Sequence, residues 1–382
     1  MGVSVTTSSR PGGDGSPSLR FAFFTELCLP SIGGQEIFFL ELGETLVRRG
    51  HAVDIYCIGH EPGLSANETI NGVQVHRNPN GGHYKNPRIK ALRRDWSDIA
   101  KYSAGIRKVA KSGRHDFYLL NQWPLMHVAA LPNRVRKRSG LHWCEIREDP
   151  LLRALQATLP RTVSSSFAIS ASVAQGILDA SGRPTLVLPS GIQLERYRSK
   201  PRSERSGVLA VGRVAPHKNL ELLIDAFGLA AARGLTGDLT IGGDGPARSD
   251  VEAYARQSPV ADRIHVLGSV TEEKKIELLS QASILGMPSK REGFPRVITE
   301  AMASGLPVVT GRFPENGSTA IVSQYSSGIV CGTEPAEFAD ALLAVEAEWD
   351  GYSRAGLAAA QTLDWSDIAR TLEERVREVI AH

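Results

Sequence analysis

The sequence predicts two doubly wound α/β domains in tandem, and three observations lead to this fold class. Short apolar runs alternate with helical patterns along most of the chain. These runs are continuously apolar, which is typical of parallel strands covered by helices on both faces. The alternation pauses once, at a polar segment near the middle, and then starts again. A chain of 382 residues is long enough for two such domains, each with its own core.

The first half of the chain predicts a polar tail followed by one domain. Residues 1–19 are rich in Ser, Gly and Pro, as expected of a disordered tail. A helical pattern follows the first strand and ends at Gly50, a residue suited to the left-handed position after a helix. We assign residues 20–199 to this domain. Its predicted strands are LRFAFF (19–24), AVDIYCI (52–58), DFYLLNQ (116–122), GLHWCE (140–145), SFAIS (166–170) and TLVLPSGI (185–192).

The second half repeats this organisation after a short connection. Residues 200–206 are polar, contain a proline and predict a linker. Residues 207–361 predict the second domain. In sheets of this kind ligands bind beyond the carboxyl ends of the strands, so two domains side by side predict a cleft. The predicted strands are GVLAVG (207–212), DLTIGG (238–243), RIHVLG (263–268), ASILGMPS (282–289), LPVVTG (306–311) and SGIVC (327–331).

The charge of the chain is divided unevenly between its halves. The formal net charge is +3. Residues 1–200 hold 26 Lys/Arg and 16 Asp/Glu, a balance of +10, and residues 201–382 hold 18 and 25, a balance of −7. This asymmetry predicts that the first half meets something anionic: a phosphorylated ligand, an acidic acceptor or an anionic membrane surface. No nucleic-acid motif accompanies the charge, so we expect no nucleic-acid partner.

Two segments and the cysteines add to this interpretation. Residues 87–111 combine an apolar stripe, which includes Trp96, with many basic residues; we favour a helix docked on the sheet, and the alternative is an interfacial helix on anionic lipid. The heptapeptide DWSDIAK (95–101) recurs as DWSDIAR (364–370) and predicts two helices that begin in the same way. The four cysteines lack the spacing of a metal site or a disulfide framework. They indicate a reducing compartment, so we expect a cytoplasmic protein.

Two segments suit phosphate binding, and a third does not. Gly33 and Gly34 form a turn before a helix, which directs backbone N–H groups towards a ligand. Arg213 and Lys218 follow a strand of the second domain, where two cations would offset the charge of a leaving diphosphate. The stretch IGGDGPAR (241–248) lacks the third glycine of a dinucleotide-binding fingerprint. We therefore interpret it as a strand and a turn.

The stretch EGFPRVITEAMASG (292–305) places two glutamates around the start of a helix. Pro295 suits the first helical position, and Gly305 suits the residue after the helix. Glu292 precedes this helix, whereas Glu300 lies too far inside to cap it. Two carboxylates beside a phosphate-binding helix start would each bind a hydroxyl-rich ring. A nucleotide sugar has two such rings joined by a diphosphate.

Together these motifs resemble the retaining GT-B glycosyltransferases of family 4, also described as glycosyl transferases group 1. The resemblance extends over nearly all of residues 20–380, and the two glutamates eight positions apart, together with Arg213 and Lys218, are its most specific feature. It implies a GT-B fold of two Rossmann-like domains facing a cleft, an acceptor-side first domain and a donor-binding second domain. It also implies a last helix, residues 362–382, that crosses back to the first domain. The matching segments are the Gly33-Gly34 turn with Glu36, RRGHAVDIY, PSGIQ, GRVAPHKN, IGGDGP, VLGSV and EGFPRVITEAMASGLPVV.

The resemblance further implies a role for each residue of the donor site. Arg213 and Lys218 would bind the donor pyrophosphate, helped by the backbone of Gly34. Glu292 would hold hydroxyls of the donor sugar, and Glu300 those of the ribose. The other residues implied to line the donor pocket are Gly33, Val270, Gly293, Phe294 and Pro295.

The implied reaction is transfer of a hexose from a UDP- or GDP-sugar to an acceptor hydroxyl, with retention and without a firmly assigned protein nucleophile. We expect no metal and no cofactor beyond the sugar nucleotide, since the chain has no Asp-x-Asp motif near a strand end. The acceptor is a glycan, a lipid-linked group or a small molecule. Contact of the basic first domain with the inner face of the cell membrane is compatible with this prediction.

Two departures from the family pattern affect the prediction. Pro295-Arg296 stands where many relatives have Gly and Leu, and Arg296 would add a cation near the donor. Many relatives carry a His after the fourth strand. Here His142 falls within that strand, and Glu145 or Arg147 occupies its end. We therefore include Glu145 among the catalytic candidates, as a group that orients the acceptor.

Other functions are compatible with the same motifs. One is another GT-B enzyme, such as a sugar-nucleotide epimerase or a phosphorylase. Another is a noncatalytic nucleotide-sugar binding protein, which the missing His would suit. His51, which follows the first helix, is interpreted as a structural turn residue and not as a catalyst.

Overall fold

The computed structural model describes residues 17–31, 33–78, 84, 96–293 and 295–381 of the chain. These ranges exclude the predicted tail up to residue 16, residues 87–95 of the basic segment, and Phe294.

The elements of the described residues alternate between strands and helices, as predicted. The strands are β1 (Arg20–Phe24), β2 (Ala52–Ile58), β3 (Asn67–Ile70), β4 (Val73–Asn78), β5 (Phe117–Asn121), β6 (Ser139–Trp143), β7 (Ser165–Ala168), β8 (Leu186–Val187), β9 (Val208–Val211), β10 (Leu239–Gly242), β11 (Ile264–Gly268), β12 (Ile284–Met287), β13 (Arg291–Glu292), β14 (Val308–Gly311), β15 (Glu315–Asn316) and β16 (Gly328–Cys331). The helices are α1 (Gly34–Arg48), α2 (Trp96–Ser112), α3 (Met126–Ala130), α4 (Asn133–Arg136), α5 (Pro150–Thr158), α6 (Ala171–Ser181), α7 (Leu220–Ala232), α8 (Arg248–Gln257), α9 (Glu272–Gln281), α10 (Arg296–Ala303), α11 (Ser318–Tyr325), α12 (Pro335–Ala347), α13 (Trp349–Gln361) and α14 (Trp365–Ala381).

The chain divides into two compact units. The first contains the described residues up to Gly191 together with those from Trp365 onward, and the second contains Ile192–Asp364. The segment expected to be a linker, residues 200–206, therefore lies inside the second unit. Its Arg205 is buried and donates hydrogen bonds to the carbonyl oxygens of Leu279, Ala282 and Ser304, which fixes the segment to that unit.

The first unit is organised around an eight-stranded sheet in the order β3-β4-β2-β1-β5-β6-β7-β8. Its strands pair in parallel, except that β3 and β4 form an antiparallel hairpin. This hairpin is absent from the predicted strands. Its turn, Asn71-Gly72, has φ angles of 47° and 88°, and an Asn-Gly turn of this kind is a strong hairpin signal.

Helix α2 docks on this sheet through its apolar face. Ile99, Tyr102 and Ile106 belong to the buried core of the unit, and the Tyr102 hydroxyl lies 2.6 Å from the Thr25 carbonyl oxygen. This contact confirms the docked interpretation for the described part of the basic segment. Trp96, placed in the apolar stripe by its spacing, is instead 56% exposed, because it stands at the first residue of the helix.

The last helix, α14, packs against α1 within the first unit. Trp365 is 2% exposed, packs against Phe38 and donates from Nε1 to Glu41 at 3.0 Å. Further along, Glu373 accepts from Arg49 at 2.5 Å. Both copies of the repeated heptapeptide therefore start helices at their tryptophan, as predicted, although only the second tryptophan is buried.

His51 has two structural partners in the first unit. Its Nδ1 accepts a hydrogen bond from the backbone N–H of Leu19 at 3.1 Å, and its Nε2 lies 3.0 Å from Glu373. Burial favours the neutral form of Glu373, but the hydrogen bonds from His51 and Arg49 outweigh this effect and lower its pKa. These contacts confirm that His51 is a structural residue.

The second unit contains a six-stranded sheet in the order β11-β10-β9-β12-β14-β16, with neighbours paired in parallel. A separate two-stranded parallel pair joins β13 to β15. Apolar helices cover the larger sheet, and Leu223, Phe227 and Leu342 are fully buried in its core. The predicted fold class, two Rossmann-like α/β domains, is confirmed.

Candidate functional site

A pocket lies at the carboxyl ends of β9, β10 and β12 in the second unit. Its lining residues are Ala210, Val211, Gly212, Arg213, Val214, Lys218, Leu220, Ile241, Gly242, Gly286, Met287, Pro288 and Ser289. This is the edge where parallel sheets bind ligands.

Glycines let two loops touch at the rim of this pocket. Gly212 and Gly243 both have a φ of 140°, which side chains rarely adopt. A Cβ at Gly243 would lie 1.8 Å from the carbonyl oxygen of Gly212, so no other residue fits there. The stretch IGGDGP is therefore a strand and a turn, as interpreted, and its glycines hold the loop before Arg213 in place.

The loop from Arg213 to Lys218 presents two cations to the pocket. Residues Pro216–Lys218 form a single 3₁₀ turn that Asn219, with a φ of 54°, connects to α7. Lys218 Nζ lies 2.5 Å from Glu292 Oε1. Arg213 is exposed and has no carboxylate partner in the part of the chain that the structure describes. One cation is thus prepositioned, and the other is available to a ligand.

His217 gives evidence of positive potential in this loop. Partial burial lowers its pKa, and the neighbouring cations Lys218, Arg291 and Arg213 lower it further, whereas Glu292 opposes them. Burial disfavours charge of either sign, but the three cations that disfavour an additional proton favour an anion such as a diphosphate.

The loop that holds Glu292 is fixed by its pairing with a second segment. Glu292 belongs to β13, and its carbonyl oxygen accepts a hydrogen bond from Gly317 N at 2.9 Å. A Cβ at Gly317 would lie 2.1 Å from the carbonyl oxygen of Gly293. The backbones at positions 293 and 317 are therefore in close contact, which limits the movement of the Glu292 carboxylate.

The helix after this loop begins one residue later than predicted. Pro295 has a φ of −76° and a ψ of 102°, so it is extended and occupies the N-cap, and α10 begins at Arg296. The prediction of Pro295 as the first helical residue is therefore wrong by one position, because only its φ is fixed by the ring and its ψ is free. Gly305 has a φ of 66° and ends the helix as predicted.

Glu300 is buried inside α10 and has a lysine partner that the sequence interpretation does not include. Its Oε1 lies 2.8 Å from Lys275 Nζ on α9. Lys275 also contacts Glu272 at 3.0 Å. Both glutamates of the motif are thus paired with a lysine. The charged run EEKK at 272–275 gives no indication of this contact, since Lys275 and Glu300 are 25 positions apart.

Val270 lies beside the wall of the same pocket. Its Cγ1 is 3.6 Å from the position that a Cβ at Gly242 would occupy, and Gly242 lines the pocket. The structure therefore brings Arg213, Lys218, Glu292 and Val270 to one region of the second unit.

Three of the predicted site residues, Gly33, Gly34 and Glu145, lie in the first unit. Gly33 is the N-cap of α1 and Gly34 is its first residue, with open space around the position of a Cβ at Gly34. Glu145 follows β6, and its Oε1 accepts a hydrogen bond from Trp123 Nε1 at 3.1 Å. Arg147 lies 3.8 Å from the other carboxylate oxygen.

His142 is buried within β6, as predicted, and stacks on Phe38 with ring centroids 4.2 Å apart. Burial lowers the pKa of His142 to about 4, although a hydrogen bond to the carbonyl of Leu188 acts in the opposite direction. It is therefore a neutral core residue.

The end of β5 supplies polar residues that the sequence interpretation omits. Asn121 is buried, and its Oδ1 has no hydrogen-bond partner among the described residues. Gln122 Oε1 accepts from the backbone N–H groups of Cys144 and Glu145 at 2.9 and 3.1 Å, which positions the Glu145 loop. The strand-end positions of Asn121 and Gln122 are the sequence signal that could have identified them.

Comparison with known proteins defines the class of this chain. The model of glycosyl transferases group 1 matches residues 192–362, and that of glycosyltransferase family 4 matches residues 32–196. Over 390 residues the chain is 27% identical to a D-inositol 3-phosphate glycosyltransferase of Geodermatophilus obscurus, with 90% of this chain and 84% of that protein covered.

Two solved structures are similar in fold. Sucrose-phosphate synthase from Thermosynechococcus elongatus has a TM-score of 0.74 at 20% identity, with 95% of this chain and 99% of that chain covered. HepE from Anabaena, in complex with UDP-glucose, has a TM-score of 0.67 at 18% identity, with 94% and 100% covered.

Taken with the fold and the pocket, these matches define a glycosyltransferase. The chain belongs to the GT-B glycosyltransferases of family 4. The predicted enzyme class is thereby confirmed. Within the described ranges, no helix combines the length and apolarity needed to cross a bilayer.

Proposed function

We propose that this glycosyltransferase transfers a hexose from a nucleoside diphosphate sugar to an acceptor hydroxyl, with retention of anomeric configuration and without a metal ion. The observation that carries the proposal is a basic pocket at the carboxyl edge of the second sheet, lined by Arg213 and Lys218, with Lys218 paired to the motif glutamate Glu292. The second motif glutamate, Glu300, is buried and paired with Lys275.

The donor is held by its charge and by its hydroxyl groups. Arg213 and Lys218 bind the diphosphate through charge-assisted hydrogen bonds. Glu292 accepts hydroxyls of the hexose, and Glu300 accepts the two ribose hydroxyls. Because Lys218 already contacts Glu292 at 2.5 Å, a diphosphate bound to Lys218 places the attached sugar beside that carboxylate.

In the transfer step the bond between the anomeric carbon and the diphosphate oxygen breaks. The acceptor oxygen bonds to the anomeric carbon on the same face, and the acceptor proton passes to the departing oxygen. Arg213 and Lys218 stabilise the negative charge that develops on the diphosphate, which is the function that a metal ion performs in other transferases.

The acceptor binds at the carboxyl edge of the first sheet, near Glu145 and Trp123. The related D-inositol 3-phosphate glycosyltransferase is named for a phosphorylated acceptor, and the positive balance of the first half of this chain suits an anionic acceptor as well. Contact of the first unit with an anionic membrane surface would bring a lipid-linked acceptor to the same edge.

The proposal is tested by incubating the enzyme with single UDP- and GDP-hexoses and measuring release of the nucleoside diphosphate, with and without EDTA. We expect slow hydrolysis of one α-linked donor, unchanged by EDTA, and, once an acceptor is supplied, an α-configured glycoside by NMR, because a glycoside does not mutarotate as the free hexose does. A β-configured product would contradict retention. Affinity without turnover for any donor would indicate a binding protein.

Replacing Glu145 with glutamine is expected to lower transfer about tenfold or more, because the amide cannot act as an acceptor of a proton or orient a hydroxyl in the same way. Binding of the nucleoside diphosphate should be unchanged, since this residue lies in the first unit. Glu148→Gln, at a neighbouring exposed carboxylate, is the control. Unchanged transfer by Glu145→Gln would remove this residue from the mechanism.

Replacing Lys275 with alanine is expected to raise the donor KM about tenfold with a smaller effect on kcat, because it leaves the buried Glu300 carboxylate without its lysine. Lys275→Arg should restore much of the affinity. Lys274→Ala removes the same charge from an exposed neighbouring position and should change neither constant. An equal effect of the two alanine variants would show that Lys275 does not position Glu300.

A further inference from the structure

A second basic region of the first unit lies at the edge of the sheet opposite to Glu145. His115 precedes β5 and Arg138 precedes β6, so both stand at the amino ends of parallel strands. A cavity of about 520 Å³ opens there. We call it the amino-edge pocket and define it by its polar lining residues, Lys111, His115, Tyr118, Arg134, Lys137 and Arg138.

The cations of this pocket lack carboxylate partners among the described residues. Elsewhere Arg49 pairs with Glu373, and Arg202 with Glu346. Within the described ranges, none of the four cations of the amino-edge pocket has a carboxylate within 4.0 Å of its side-chain nitrogens. Four like charges around one cavity, with no neighbouring carboxylate to offset them, favour a bound anion.

His115 is a buried residue among those that line this pocket. Its Nε2 lies 3.0 Å from Asp54 Oδ2, and the other oxygen of Asp54 lies 2.8 Å from His76 Nε2. Burial opposes ionisation of Asp54, but the hydrogen bonds from His115 and His76 outweigh it and hold its pKa well below the usual range. The ionised carboxylate only accepts, so Nε2 of His115 carries a proton.

The second ring nitrogen of His115 is unused. Its Nδ1 is buried and has no hydrogen-bond partner in the described part of the chain. A ligand oxygen that carries a proton would donate to Nδ1 of the neutral ring, and an ionised oxygen would accept from the protonated ring. A phosphate monoester offers both kinds of oxygen near neutral pH, because its second pKa is about 6.

The neighbouring basic cavity is less suited to a ligand. It shares Lys137 and Val379 with the amino-edge pocket and contains Arg161 and Arg375. Arg375 is engaged by Glu378 and by Ser165, and Arg161 donates to the carbonyl of Ser181. Apart from the shared Lys137, its cations are thus engaged by protein groups, Arg136 included. In the described part of the chain, the cations of the amino-edge pocket have no such hydrogen bonds or ion pairs from their side chains.

We propose that the amino-edge pocket binds the phosphate group of a phosphomonoester, at a site separate from the sugar-nucleotide pocket. Lys111, Arg134, Lys137 and Arg138 supply the positive charge, and His115 supplies the buried hydrogen-bonding atom. The phosphate belongs either to a soluble metabolite or to a lipid headgroup such as phosphatidic acid. The apolar wall, which includes Pro132, Val135 and Ile380, accommodates the carbon part of either ligand.

The experiment must first remove the other anion site. In the Arg213→Ala/Lys218→Ala background, binding of inorganic phosphate and of glycerol 3-phosphate is measured by titration calorimetry. We expect one remaining site. Adding Arg134→Gln and Arg138→Gln should weaken phosphate affinity at this site about tenfold for each cation, hence about a hundredfold together. Adding Arg153→Gln and Arg370→Gln, two exposed arginines of the same unit, should leave it unchanged.

A vesicle arm identifies the source of the phosphate. Cosedimentation is compared between phosphatidylcholine vesicles with and without phosphatidic acid, using the same variants. If the enzyme binds soluble phosphate and the Arg134→Gln/Arg138→Gln substitutions abolish that binding, the pocket is a site for a soluble metabolite. Binding only to vesicles with phosphatidic acid, lost in the same variants, supports the site and assigns its phosphate to a lipid. If neither probe binds, or if these two substitutions weaken binding no more than the control pair, the proposal is overturned.

Discussion

Replacing Lys218 with alanine is expected to slow sugar transfer about a hundred- to a thousandfold, the loss typical of removing one group that stabilises developing charge. Two physical effects combine in this variant. The diphosphate loses a cation, and the Glu292 carboxylate, 2.5 Å from Lys218 in the structure, loses its partner. An unpaired carboxylate beside the diphosphate then repels it, so both ground-state binding and the transition state are weakened.

A double-mutant cycle with Glu292→Gln separates these effects. In the Lys218→Ala/Glu292→Gln variant the repulsion is absent, so affinity for the nucleoside diphosphate should recover in part. Transfer should stay low, because the contact between Glu292 and the sugar is lost as well. Arg213→Ala, at an exposed and unpaired cation, should weaken diphosphate binding without coupling to Glu292. Strictly additive effects of Lys218→Ala and Glu292→Gln on diphosphate affinity would contradict the proposed arrangement.

The proposed donor site illustrates how far local sequence reasoning extends. Glu292 and Glu300 were separable by position alone, since one precedes a helix and the other lies within it. Strand-end placement predicted Arg213 and Lys218, because parallel strands bring their carboxyl ends to one edge. Lys275 could not be found in this way. Its contact with Glu300 depends on how α9 and α10 pack beside the sheet, and no local pattern encodes that distance.

The division into units shows a similar limit. Composition places a linker at 200–206, because the segment is polar and contains a proline. Arg205 is nevertheless buried, since four backbone carbonyls satisfy its guanidinium. A charged residue is buried when partners are available, and three of these four partners lie 74 to 99 positions away in the sequence. Polarity therefore predicted exposure where tertiary hydrogen bonds produce burial.

The two tryptophans of the repeated heptapeptide give the largest expected effect on stability. Trp365→Ala should destabilise the first unit by about 3–5 kcal/mol, the usual loss for a large buried aromatic side chain. Trp365 is 2% exposed, and a Cβ at Gly191 would lie 2.4 Å from its ring, so the indole packs directly on that backbone. The substitution also removes its hydrogen bond to Glu41. Trp96→Ala should cost less than about 1 kcal/mol, because Trp96 is 56% exposed.

This pair is a matched control, since the same local sequence surrounds both residues and helix propensity changes equally in the two variants. Urea unfolding followed by circular dichroism gives the free-energy difference. Hydrogen exchange of the amides in α1 and α14 locates it, because loss of Trp365 should raise exchange in both helices while Trp96→Ala should not. Similar destabilisation by the two substitutions would mean that α14 is not held to the first unit through Trp365. If exchange rises in α14 but not in α1, Trp365 stabilises its own helix without transmitting that stability to α1.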